Sequence, residues 1–204
     1  MDSDLKIRVI SNLTNTELFY ICQENLSISS TNFKVEPWQK QYIAPGAEFF
    51  SILPAQLQAQ GKYEEDTSIY NTKIVDVNYY HSYELYMNVQ GLDIQPSQES
   101  APTEGINIYN KCDYTKEIVV LKGENPILSA KVRPSNKFNF LVYPKLYIYI
   151  SDYEILDDSV KASSLSPLTH IDYSGQNYLT IILKENTSTG KFEIEYNFNY
   201  FEYP

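Results

Sequence analysis

Two similar blocks of sequence, KVEPWQKQ (residues 34–41) and KVRPSNKF (residues 131–138), lie 97 residues apart in a chain of 204 residues. A second match in the same order pairs Asn12 in VISNLT with Asn110 in NIYNKC, at nearly the same spacing. Ordered internal matches are typical of one fold made twice. The shared Lys-Val-x-Pro therefore predicts a tandem duplication, in which the proline closes a strand of each copy.

A third match pairs SYELYMNV (residues 82–89) with KFEIEYNF (residues 191–198). In both segments apolar residues alternate with polar ones, which predicts strands with one face in a core and one face in water. The spacing of this third match is larger than that of the other two. We therefore expect an insertion in the second copy, within residues 157–170.

Short alternating segments separated by turn residues recur along the whole chain, and each copy offers six or seven of them. This regular spacing of short strands and turns predicts an all-β protein made of two related β-sandwich domains. The predicted boundaries are residues 1–92 for the first sandwich, 93–104 for a linker and 105–204 for the second. One segment departs from the pattern: LPAQLQAQG, with Pro54 at its start and Gly61 at its end, predicts a short helix over residues 54–60.

The net charge of −10 argues against nucleic acid as a partner, because Lys and Arg are few and form no basic run. No apolar run is long enough for a transmembrane helix. Contact with a membrane surface is not favoured, although aromatic loop tips leave it open. The N-terminal sequence predicts a cytoplasmic protein, or one released without a classical signal peptide.

Sequence motifs for catalysis, phosphate binding and tight metal binding are absent, so we expect a protein that is not an enzyme and has no cofactor. His170 and Asp172 form a His-x-Asp pair without a marked nucleophile, and His81 is expected in a loop. A calcium site would need clustered carboxylates. The best candidate cluster lacks the spacing of a calcium-binding loop, and it comprises Asp152, Glu154, Asp157 and Asp158. Hydrolysis by two carboxylates from separate loops stays open as an alternative.

The chain is rich in aromatic residues, with 19 Tyr, 9 Phe and one Trp. Aromatic rings suit sugar stacking and protein contact, and they also pack within and between sheets. Trp38 follows a proline that is expected to end a strand, which predicts that it lies on a loop or at a sheet end. The candidate ligand-binding residues are Trp38, Tyr42, Phe49, Tyr86, Tyr147 and Tyr149.

The run IAPG (residues 43–46), with Phe49, Gly61 and Tyr70 after it, resembles the strand, Pro-Gly turn and strand of aegerolysin-like small toxin sandwiches. That resemblance implies binding to membrane lipids together with a partner, but the duplication departs from the family. The sequence favours a non-catalytic recognition or assembly protein that binds a glycan or a protein surface. The alternatives are a membrane-active, toxin-like protein and a structural subunit of an oligomer or a larger assembly.

Overall fold

The computed structural model describes residues 3–27, 33–65, 68–100, 102–151 and 168–204. Within these residues the chain forms seventeen β-strands and no helix, which confirms the all-β prediction. None of the described segments is therefore a helix that could cross a membrane.

The strands are short and are joined mostly by tight turns. In chain order they are β1 (Leu5–Asn12), β2 (Glu17–Ser27), β3 (Phe33–Val35), β4 (Pro37–Ile43), β5 (Glu48–Leu53), β6 (Leu57–Glu65), β7 (Ser68–Asn71), β8 (Val75–Val77), β9 (Ser82–Asn88), β10 (Gly91–Pro96), β11 (Ile106–Asn110), β12 (Lys116–Lys122), β13 (Asn125–Val132), β14 (Lys137–Ser151), β15 (Thr169–Asp172), β16 (Tyr178–Asn186) and β17 (Lys191–Asn197).

The helix predicted over residues 54–60 is wrong, because most of that segment belongs to β6. Leu57, Ala59 and Gly61 are buried, while the glutamines between them are only half-buried. This period of two fits a strand, and residues 58–62 of β6 pair antiparallel with β12. Tertiary pairing thus overrides the local helix signals of Pro54, Gly61 and the Ala and Gln residues between them.

The described residues form two compact units, and each unit takes segments from both halves of the chain. The first unit comprises Met1–Glu24, Pro37–Ala55 and Pro144–Pro204, and the second comprises Asn25–Glu36 and Gln56–Tyr143. The tandem arrangement of two sandwiches is therefore not confirmed. Part of the predicted linker at residues 93–104 lies in strand β10, which pairs with β9. The boundaries 1–92 and 105–204 for two sandwich domains remain a prediction.

The first unit contains a four-stranded sheet in the order β17-β16-β1-β5, with β1 parallel to β16 and antiparallel to β5. A second layer consists of β4, β2 and the end of β14, to which β15 is added. Phe19 of β2 meets Phe49 of β5 edge to face, with ring centroids 5.7 Å apart. The inward side chains of the four-stranded sheet are fully or almost fully buried; they include Leu5, Ile7, Val9, Leu179, Ile181 and Leu183.

The second unit repeats this strand order with other strands. Its first sheet runs β10-β9-β11 and then the start of β14, with β11 parallel to β9 and antiparallel to β14. Its second sheet runs β3-β13-β12-β6-β7, with β8 added to β6. In the first sheet of both units, a β-hairpin is therefore followed across the sheet by a parallel strand pair and then by an antiparallel strand pair.

Local details repeat as well, and they correct the match of the two Lys-Val-x-Pro blocks. Pro37 lies in β4, whereas Pro134 lies in a turn after β13. The backbone N–H of Asn136 donates to the carbonyl of Arg133 at 3.2 Å. The N–H of Ala47 donates to the carbonyl of Ala44 at 3.1 Å in the same way. The turn that contains Pro134 therefore corresponds to the turn that contains Pro45, not to Pro37.

Both turns place their third residue in the left-handed region, with φ of 71° at Gly46 and 59° at Ser135. The pairing of β2 with β4 is irregular at Trp38, which lies opposite the step between Ile21 and Cys22. The pairing of β12 with β13 is irregular at Ile127 in the corresponding way. By the same comparison β9 corresponds to β16 rather than to β17, so the third sequence match joined strands with different positions. The insertion expected at residues 157–170 lies mostly outside the described residues.

Candidate functional site

Trp38, the leading candidate from the sequence, lies inside strand β4 and is only 3% exposed. It is therefore not on a loop, and its ring is part of the core of the first unit. Phe49 is half-buried and meets Phe19 of β2 edge to face. Neither ring is placed to receive a ligand from solvent.

Tyr147 and Tyr149 are the two candidates that the structure brings together. Tyr149 is 1% exposed and stacks on Tyr20, with ring centroids 4.8 Å apart. Tyr149, Leu18, Tyr20 and Cys22 form a buried cluster against which Tyr147 packs. Burial, reinforced by Cys22, raises the pKa of both Tyr147 and Tyr149. These two side chains therefore pack in a second core, which was the alternative left open by the sequence.

The remaining two candidates lie in different units. Tyr42 in the first unit is 62% exposed and is available to a partner. Tyr86 in the second unit is half-buried, and its hydroxyl donates to Asp93 Oδ2 at 3.3 Å. The six aromatic candidates thus do not converge on one site.

The polar candidates do not form a catalytic group either. The exposed His170 lies 3.7 Å (Nδ1) from Glu24 Oε2, while Asp172 accepts hydrogen bonds from the N–H and hydroxyl of Ser174. These bonds lower the pKa of Asp172 and hold it in a turn. Nδ1 of His81 lies 2.9 Å from its neighbouring carbonyl at Tyr79. The acidic residues 152–158 lie outside the described residues, and within the described part of the chain no cluster suits a metal ion.

A more promising surface is the outer face of the four-stranded sheet in the first unit. Because side chains alternate along a strand, the burial of Leu5, Ile7 and Val9 directs Lys6 and Arg8 to the opposite face. In register, Lys6 lies between Tyr178 of β16 and Ile52 of β5. Arg8 lies between Thr180 of β16 and Phe50 of β5.

The C-terminal residues after β17 return over this outer face. Phe201 is only 8% exposed, and its ring centroid lies 5.4 Å from that of Tyr178 and 6.2 Å from that of Phe50. Tyr203 meets Phe50 edge to face at 5.9 Å, and Tyr200 meets Tyr178 at 5.0 Å. We call these five residues (Phe50, Tyr178, Tyr200, Phe201 and Tyr203) the aromatic face.

Two cations lie on the aromatic face, and they differ in their partners. Arg8 forms an ion pair with Glu48, which raises the pKa of Arg8 and lowers that of Glu48. The Lys6 ammonium instead lies over two rings, with Nζ 5.4 Å from the centroid of Tyr178 and 5.9 Å from that of Tyr203. Cation–π contacts of this kind hold a cation in place without neutralising it.

Next to the aromatic face is a cavity of about 510 Å³, which we call the polar pocket. It is lined by Ser3, Pro144, Tyr173, Ser174, Gly175, Gln176 and Asn177. The backbone N–H of Lys6 donates to the carbonyl of Asn177 at 2.9 Å, so one residue links the pocket to the aromatic face. The pocket wall is braced by hydrogen bonds from the N–H of Tyr173 to Pro144 and from the N–H of Gln176 to Tyr173, both 2.9 Å long.

The equivalent positions of the second unit carry a different chemistry. Asn107 of β11 occupies the position that corresponds to Arg8 of β1. Its neighbours across the sheet are Ser82 and Asn139, whereas those of Arg8 are Thr180 and Phe50. The amide of Asn139 donates to Asn107 Oδ1 at 2.5 Å, and that of Asn107 donates to Ser82 Oγ at 3.4 Å. All three residues are buried. At these three positions the outer face is a buried polar network, while farther along β11 the ammonium groups of Lys111 and Lys137 lie 5.3 and 5.7 Å from the ring centroid of Tyr109.

The sequence reasoning did not find the aromatic face or the polar pocket. One signal was present: four of the last seven residues, FNYFEYP (residues 198–204), are aromatic. That signal does not reveal which strand the C-terminal residues cover. Comparisons of the chain with protein-family models, with curated proteins and with solved structures found no significant match.

Proposed function

We propose that the protein is a non-catalytic glycan-binding protein, and that the polar pocket holds the sugar beside the aromatic face. The observation that carries this proposal is the juxtaposition of a cavity of about 510 Å³, lined by hydroxyl and amide side chains, with a set of aromatic rings. The two are joined through consecutive residues, because Asn177 lines the pocket and Tyr178 belongs to the aromatic face.

The chemistry of the lining fits a sugar. Gln176 offers an amide donor and acceptor, Asn177 offers its amide N–H groups, and the Ser174 oxygen can accept while its hydroxyl donates to Asp172. These groups match the hydroxyl groups of a pyranose, and all three residues are exposed. Tyrosine rings supply flat apolar surfaces at low entropic cost. Pockets for small ligands typically measure about 300–1,000 Å³, so the volume suits one or two sugar residues.

We also propose that the two units descend from one duplicated fold. Support comes from the repeated strand order, the repeated turn at Gly46 and Ser135, and the repeated irregularity at Trp38 and Ile127. In this interpretation the shared features serve the fold, whereas features present in one unit alone are free to serve binding. The C-terminal rings that cover the sheet of the first unit and hold Lys6 belong to that second group.

The proposal is tested first on a glycan array with the labelled wild-type protein, and then by calorimetry with the glycans it retains. Gln176→Ala removes one pocket amide at an exposed position, and Gln41→Ala removes an exposed amide of the same unit outside the pocket. A lost hydrogen bond of about 0.5–1.5 kcal/mol should weaken binding roughly 2- to 13-fold in Gln176→Ala. Gln41→Ala should bind like the wild type.

Two results would contradict the proposal. One is a wild-type protein that retains no glycan on the array. The other is a glycan whose affinity is the same for the wild type and for Gln176→Ala, since the sugar would then bind elsewhere.

A further inference from the structure

Lys6 differs from the other cations on the same sheet face. Arg8 pairs with Glu48 and Lys184 pairs with Glu195. Among the described residues, no carboxylate lies within the 4.0 Å ion-pair distance of Lys6 Nζ. The ammonium group is held by the rings of Tyr178 and Tyr203 instead.

This placement has an electrostatic consequence in a chain with a net charge of −10. An acidic protein repels anions in general, and one condition that favours binding of an anion is a local cation that the protein's own carboxylates have not neutralised. Lys6 satisfies that condition, and it is half-buried, which weakens the screening of its charge by solvent. Its backbone N–H donates to the carbonyl of Asn177, which lines the polar pocket, and its ammonium group lies over the ring of the next residue, Tyr178.

We propose that the glycan bound by this site carries an anionic group, a carboxylate or a sulfate, and that Lys6 is the residue that selects it. This inference rests on the proposed glycan-binding function. The neutral part of the sugar contacts the amides and hydroxyls of the polar pocket. The anionic group meets the Lys6 ammonium, whose charge is held in position by the two tyrosine rings.

The experiment compares matched glycans that share a neutral core: lactose, 3′-sialyllactose and 3′-sulfated lactose, together with the other acidic and neutral pairs on the same array. Lys6→Met keeps an unbranched apolar stem against the rings and removes the charge. Lys191→Met makes the same change in net charge at an exposed position at the start of β17. Lys6→Arg keeps a cation at the site and serves as the rescue variant.

We expect the wild type to bind the acidic member of its preferred pair at least about tenfold more tightly than the neutral member, as an ion-assisted hydrogen bond would give. Lys6→Met should lose that preference and keep its affinity for the neutral core, while Lys191→Met and Lys6→Arg keep the preference. The sialylated and sulfated probes identify which anion is recognised. Raising the salt concentration should reduce the preference of the wild type, which gives a readout that does not depend on any variant folding.

The outcomes separate this inference from the proposed function. Equal binding of acidic and neutral members by the wild type overturns the role of Lys6 and leaves the glycan-binding proposal standing. An acidic preference that persists in folded Lys6→Met also overturns it. Failure to bind any glycan overturns both.

Discussion

Cutting the folded protein once, at a protease site inserted after Ser100, should leave its two halves associated. Each unit is built from segments on both sides of that cut, since β1 pairs with β16 in the first unit and β9 pairs with β11 in the second. A tandem pair of independent sandwiches, with boundaries at residues 92 and 105, would instead come apart into two folded monomers.

The magnitude follows from burial. Leu5, Ile7 and Val9 of β1 are at most 1% exposed, and they pack in a sheet with strands of the other half. Burying each such side chain contributes about 1.5–3 kcal/mol, so this one strand supplies roughly 5–9 kcal/mol of attraction between the halves. The cut itself replaces an effective concentration of about 1 mM by the concentration in solution. At about 10 µM this is a hundredfold change, which costs about 2.7 kcal/mol.

The assay is size-exclusion chromatography with light scattering on cleaved protein, with and without urea, followed by thermal melts at several concentrations. The halves should elute together without urea, and the melting temperature should rise with concentration only after cleavage. Separate elution of two folded halves in buffer would refute the interleaved arrangement and restore the tandem one.

Two further predictions concern stability, and urea denaturation of purified variants measures both. Trp38→Ala should lower the free energy of unfolding by about 3–5 kcal/mol because the ring is 3% exposed. The control, Tyr42→Ala, changes a residue that is 62% exposed and should alter this free energy by less than about 0.5 kcal/mol. Equal losses in the two variants would contradict the buried placement of Trp38. Gly105→Ala should lower the free energy of unfolding by at least about 2 kcal/mol more than Gly46→Ala does. Both glycines have positive φ. A Cβ added at Gly105 would lie 2.1 Å from the carbonyl oxygen of Phe140, whereas a Cβ added at Gly46 would have no other atom within 4 Å. Similar losses in the two glycine variants would show that backbone strain alone decides the cost.

The strand content could be predicted from the sequence because it depends on local alternation. Leu179, Ile181 and Leu183 alternate with polar or half-buried neighbours, and all three are fully buried. The partner of each strand could not be predicted in this way. The pairing of β1 with β16 joins residues on opposite ends of the chain, and no local pattern encodes it. The same limit explains why Pro134 was matched to Pro37 rather than to Pro45.

The surroundings of the functional candidates could not be predicted for a related reason: alternation assigns a residue to a face but does not show what covers that face. Tyr147 and Tyr149 stand beside the aliphatic residues Ile148 and Ile150, which suggested an exposed aromatic surface. Tyr149 is nevertheless buried on Tyr20, because both sides of this part of β14 are covered. Lys6 and Tyr178, by contrast, could not be predicted as site residues, since single residues far apart in sequence form no motif.

The comparison of the two outer faces gives a reason to assign binding to the first unit rather than to the fold as a whole. In the second unit the segment after β10 is hydrogen-bonded to the outer face. The N–H of Ser97 donates to the carbonyl of Ser82, and the Ser82 hydroxyl donates to the carbonyl of Ser100, both at 2.9 Å. In the first unit the segment after β17 covers the equivalent face with rings, yet Tyr200 remains 74% exposed. Ser82, Asn107 and Asn139 on this face are all buried, which leaves a ligand little access to them. The first unit instead keeps the exposed ring of Tyr200 and the half-buried Lys6 ammonium within reach of solvent, and this difference in access is what a binding function would require.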